Sequence, residues 1–141
     1  MPRARVLVAV TASVAAVVVL AAGCGAGPGS GRGGSVAVGC ADLLAFLGTD
    51  AALPGEPVCR RSDGIDTHYE AVLTASTADV VAWLALVQPG ATLDAAGCGA
   101  DVDLCRNVPR DPDGPGDAHV LTVQVVGEGP VAAVRVTAFT T

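Results

Sequence analysis

The sequence predicts a small α+β domain: an antiparallel sheet of about three strands, ending in a C-terminal hairpin, with two helices packed on one face. Three observations point there. A capped mid-chain stretch has apolar residues at helical spacing, three segments alternate apolar with polar residues, and the elements follow in the order helix, strand, helix, strand, strand.

The first helix is expected over residues 40–47, where Leu43, Leu44 and Leu47 share one face and Gly48 supplies a stop. An irregular stretch follows, punctuated by Pro54-Gly55 and Pro57. Residues 67–74 read as a strand with Tyr69, Ala71 and Leu73 turned inward. Ser76 and Asp79 then form an S-x-x-D capping signature that opens a second helix, running to Gln88. Its Val80, Trp83, Leu84 and Val87 fall at i, i+3, i+4 and i+7, and Pro89-Gly90 ends it. Residues 89–117 show no sustained period and are rich in Gly, Pro and Asp, so a long irregular loop is expected. Strands over 118–126 and 131–139, joined through Gly127-Glu128-Gly129-Pro130, complete the chain. Leu121, Val123 and Val125 of the first would pair over the same core as Val134, Val136 and Ala138 of the second.

Charge is distributed unevenly. All fourteen acidic residues follow Cys24, against six of the eight arginines, and lysine is absent. The resulting negative field repels phosphate backbones, and only Arg60-Arg61 stand together against it, so nucleic acid is not an expected partner. The aromatic residues are Phe46, Tyr69, Trp83 and Phe139 alone. A core of Val, Leu and Ala supplies little area per residue, so cross-links should help it.

The N-terminal 24 residues have their own plan. Arg3 and Arg5 form a short positive segment, seventeen uncharged residues follow from position 6 to 22, and Leu20-Ala21-Ala22-Gly23-Cys24 places small residues before a cysteine. The first two parts have the composition of a secretory signal, whose apolar run is shorter than the roughly 20 residues of a spanning helix. The third resembles the lipobox of bacterial lipoproteins, with Leu20 one place earlier than the family's usual leucine. That resemblance implies cleavage before Cys24, removal of residues 1–23 as a signal peptide, and a diacylglyceryl group on the Cys24 thiol. It implies a lipid anchor in the cell membrane, with the remainder on the extracytoplasmic face. Two acyl chains suffice for stable anchoring.

Residues 24–39 are then the lipidated cysteine and a flexible Gly/Ser tether, and residues 40–141 the folded domain. The tether holds the domain about 20 Å from the lipid. Gly29-Ser30-Gly31-Arg32-Gly33-Gly34 formally matches G-x-G-x-x-G, but it lacks the flanking strand and helix of a dinucleotide site. Beyond leader and tether, the plan is loosely similar to small lipoproteins of GC-rich Gram-positive bacteria.

With Cys24 assigned to lipid, Cys40, Cys59, Cys98 and Cys105 form an even set, which in an exported chain reads as two disulfides with three conceivable pairings. Cys40–Cys59 with Cys98–Cys105 is preferred, because each closes a segment lacking a firm core of its own. No C-x-x-C occurs, and oxidation would remove the thiolates that zinc requires.

Few residues suggest chemistry. Asp66, His68 and Glu70 alternate on the outward side of the 67–74 strand and form a weak metal-ligand candidate. Asp111-Pro112-Asp113-Gly114 is similar to part of a calcium loop but lacks its remaining spacing and its closing glutamate. His119 is expected at the rim of the core. No nucleophile elbow is found, and Ser62 and Ser76 fit turn and cap positions. The expectation is therefore a binding or interaction module without catalysis or cofactor, held to the membrane by its anchor and taking a protein or small-molecule ligand. A metal-dependent or hydrolytic enzyme using the Asp-rich loop, and a carrier of small apolar ligands, are the alternatives. The loop 89–117, with Asp101 and Asp103, is the expected place for binding groups.

Overall fold

The computed structural model describes residues 34–141. The leader, Cys24, the tether up to Gly33 and most of the glycine motif lie outside the described residues. Six strands form one antiparallel sheet: β1 (Val36–Val38), β2 (Val58–Asp63), β3 (Thr67–Ala75), β4 (Leu104–Pro109), β5 (Val120–Val126) and β6 (Ala132–Phe139). The helices are α1 (Cys40–Phe46) and α2 (Thr77–Val87). Strand order is β1-β2-β3-β6-β5-β4, with β3 and β6 at the centre. Every neighbouring pair is antiparallel.

This corrects the expected fold class. The fold is mostly sheet, with twice the expected number of strands, and is not a three-stranded sheet carrying two helices. The additional strands are β1, β2 and β4. β1 lies in the stretch read as tether, β2 in the irregular stretch, and β4 inside the loop 89–117. Each gains its hydrogen bonds only from a partner elsewhere in the sheet, as β4 does by pairing Arg106 with Val123 and Val108 with Leu121.

One sheet face is turned to the core. Tyr69, Ala71, Leu73 and Ala75 of β3, Leu121, Val123 and Val125 of β5, and Ala132, Val134, Val136 and Ala138 of β6 are all buried. Leu43, Phe46 and Leu47 around α1, with Val80, Trp83, Leu84 and Val87 of α2, complete the same cluster. The Phe46 and Tyr69 rings meet at 4.8 Å between centroids, an ordinary aromatic contact. Trp83 Nε1 donates to Ala51 O at 2.9 Å and so holds the α1–β2 connection against α2.

α2 begins where its capping residues demand. Ser76 Oγ accepts from Asp79 N at 3.1 Å and donates to the Asp79 carboxylate at 2.6 Å. α1 ends at Gly48, whose φ of 65° suits a residue without a side chain, while Thr49 N returns to Leu44 O at 3.0 Å. Both disulfides are present: Cys40–Cys59 ties α1 to β2, and Cys98–Cys105 ties the preceding loop to β4.

Candidate functional site

The strand register fixes what the other face of the sheet presents. In a strand, residues two apart share a face, so the cross-strand partners of outward residues are outward too. One row across the sheet is Arg60, Glu70, Thr137, Thr122 and Asn107. The next is Val58, Val72, Arg135, Gln124 and Cys105, followed by Thr74, Ala133 and Val126.

The first of these rows is polar. Its Glu70 Oε1 is reached at 3.0 Å by Arg135 Nε of the next row, and Thr122 Oγ1 donates to Asn107 Oδ1 at 2.7 Å. Below it the face turns apolar. Val58 is 61% exposed, Val72 47% and Val126 46%, with Ala133 between them also exposed.

Two loops frame this apolar end. Gly55 and Glu56 stand beside Val58, Val72, Thr74 and Ala133, enclosing a concavity of about 530 Å³. Asp101 and Val102 stand beside Gln124, Val126, Ala133 and Arg135, enclosing a second of about 390 Å³. The two share Val72 and Ala133, so they form one shallow groove crossing β2, β3, β6 and β5.

Local chemistry holds each rim. Gly55, with φ of 69°, packs so closely on the backbone of Thr74 that a β-carbon would collide with its carbonyl. On the opposite rim, Cys98–Cys105 staples residues 98–105 to the edge strand. Asp94 and Cys105 there exchange backbone hydrogen bonds of 2.9 and 2.8 Å. Asp103 belongs to this frame as well: its Oδ2 accepts from Gly127 N at 2.6 Å and ties the loop to the β5–β6 turn. Asp101, by contrast, is exposed and lines the groove.

The other residues singled out in the sequence are dispersed. Asp66 sits in the β2–β3 turn, where its carbonyl accepts from Gly64 N. His68 lies against Phe139 with centroids 6.2 Å apart, and Glu70 is engaged by Arg135. Asp111 organises a turn, accepting from Asp113 N on its side chain at 3.0 Å and from Gly114 N on its carbonyl at 2.9 Å. Among the described residues, no group of three His, Cys, Asp or Glu side chains is placed to hold a metal ion. His119 sits beside the start of β5, and its Nδ1 accepts from Thr141 N at 3.1 Å.

Residues 110–117 serve the fold. Arg110 Nη2 donates to Leu47 O at 2.7 Å at the end of α1, and burial lowers its guanidinium pKa from the ordinary value. Arg61, on the inward side of β2, lies over the Tyr69 ring with its carbon 5.6 Å from the centroid. The hydrogen bond and charge of Asp63 hold its pKa above the ordinary value.

Compared with models of known families, with curated proteins and with solved structures, this chain matches none. Geometry alone therefore ranks the candidate sites, and it favours the groove. Sequence reasoning missed Val58, Val72, Val126, Ala133 and Arg135. A signal was present in β3: Val72 occupies an outward position where the alternation otherwise places His68, Glu70 and Thr74.

Proposed function

We propose that this chain is an extracytoplasmic lipoprotein, anchored through an acylated Cys24, that acts as a binding module through the groove on the open face of its sheet. One observation carries the binding role. The valines of that face, each about half exposed, are concentrated at one end and walled on two sides by loops. An apolar patch rimmed by polar groups is the usual form of an interaction site. The groove is shallow and open, which suits a surface ligand better than an enclosed small molecule. Two disulfides among the described residues fit an oxidising compartment, and the lipobox-like leader supplies the route there.

The test is a photo-crosslinking side chain placed at Val72, or at Leu86 on the exposed side of α2, in the full-length protein in its own cells. A discrete adduct from position 72 and none from position 86 is the expected result. Equal yields from both positions would reject the groove as the binding surface.

A further inference from the structure

The charges around the groove bear on the kind of occupant it favours. Its floor is Val58, Val72, Ala133 and Val126, with no charged atom of its own. Arg135 lines it too, but Glu70 compensates that guanidinium at 3.0 Å. What remains are Glu56 on one rim and Asp101 on the other, both exposed and neither in an ion pair among the described residues. Around them the domain carries five arginines against fourteen carboxylates. This field disfavours a second copy of the chain and an anionic lipid surface, and favours a cationic partner.

Geometry sets the partner's length. The groove crosses four strands, hence three inter-strand spacings, or about 14 Å. An extended polypeptide advances about 3.3 Å per residue, so residues four apart span that distance. Its side chains alternate: when the second and fourth point to the floor, the first and fifth point up toward the rims.

Resting on the binding role proposed above, we infer that the groove takes an extended segment of a cationic protein. Two β-branched or leucine side chains sit on Val58, Val72, Ala133 and Val126, and basic residues at the two ends meet Glu56 and Asp101. Shape and apolar contact provide the seat, and the two carboxylates select the charge. Each such exposed pair contributes modestly, so together they amount to about tenfold in affinity at low salt.

The experiment uses the full-length protein in detergent and three labelled peptides, followed by fluorescence anisotropy: Arg-Val-Thr-Val-Arg, Glu-Val-Thr-Val-Glu and Arg-Ser-Thr-Ser-Arg. The first should bind at least tenfold more tightly than either other. Glu56→Gln with Asp101→Asn should weaken it about tenfold, and Val72→Arg should abolish its binding while the circular-dichroism melting curve is retained. If the acidic peptide binds as well as the basic one, or the double variant binds like wild type, the cationic partner is wrong. Loss of binding in Val72→Arg would then still support the groove as the binding face. Binding by Val72→Arg at wild-type strength, or no binding by any peptide up to about 1 mM, overturns this inference. The crosslinking comparison between positions 72 and 86 judges the binding role separately.

Discussion

At the junction of α1 with residues 110–117, Gly116 and Gly48 leave no room for a side chain. Both have positive φ, 81° and 65°, and they face each other across the junction of α1 with residues 110–117. A β-carbon on Gly116 would fall on the backbone of Phe46, Leu47 and Gly48, and one on Gly48 on the backbone of Pro115. That close approach lets Asp117 N and Ala118 N both reach Phe46 O, at 2.9 and 3.1 Å. Gly90 offers a control, since its φ is 83° but nothing lies within reach of an added β-carbon. Ala at either position meets the same backbone penalty of about 1 kcal/mol or somewhat more. Of the two, only Gly116→Ala adds a collision of the new β-carbon with neighbouring backbone, so it should cost roughly 3 kcal/mol in total. Urea denaturation of the two variants checks this, and equal midpoints would mean that the junction yields freely.

At the scale of elements, what could be read from the sequence depended on what faces the core. α2, β3, β5 and β6 were legible because their inward positions carry Val, Leu, Ala and aromatic residues without interruption. β2 and β4 were not, because each sets an arginine inward. Arg61 sets its guanidinium over the Tyr69 ring, and Arg106 reaches Asp94 at 3.4 Å from the core side of β4. A polar residue at an inward position cancels the period-two signal. β1 is too short, at three residues, to show one at all. The floor of the groove was hidden for the complementary reason, because outward valines look like core residues until the register is known. Asp101 and Asp103 look equivalent in the sequence, yet one lines the groove and the other ties a turn.

The cysteines were more legible than the strands they join, because pairing by local closure needs no register. Each disulfide braces one of the strands that the pattern missed. With 19 and 7 residues of separation, chain entropy gives about 3.3 kcal/mol for Cys40–Cys59 and about 2.5 for Cys98–Cys105. Replacing both members of a pair with Ser should lower the urea midpoint in that order. The second replacement should also raise amide exchange in residues 98–105 while leaving β3 and β6 protected. Exchange rising equally in β3 and β6 would show that the staple supports the whole sheet instead of the groove rim.

For the whole molecule, the proposed anchor has to hold a strongly acidic domain at a membrane. The sheet begins at Val36, so the segment between Cys24 and the first strand is shorter than the sequence suggested. On the flexible-tether expectation, the eleven residues 25–35 would keep the domain within about 20 Å of the lipid. At that distance a strongly acidic domain gains nothing from an anionic membrane surface, whose potential falls off within about 8–10 Å at physiological salt. Among the described residues, no helix is long and apolar enough to cross the bilayer. On the proposed reading, attachment rests on the N-terminal segment and on one thiol. Wild type should partition into the detergent phase, and its N-terminal peptide should begin at Cys24 and carry the mass of acyl chains. Cys24→Ser should remain at precursor mass with residues 1–23 still attached, because the peptidase of this route acts only after the thiol is modified. Raising salt from about 0.1 to 1 M should release none of the wild type, which separates a lipid anchor from electrostatic adsorption. A mature wild-type chain beginning at an unmodified Cys24 would reject the anchor. The proposed binding role of the groove and its proposed preference for a cationic partner rest on the folded domain and would stand unaffected.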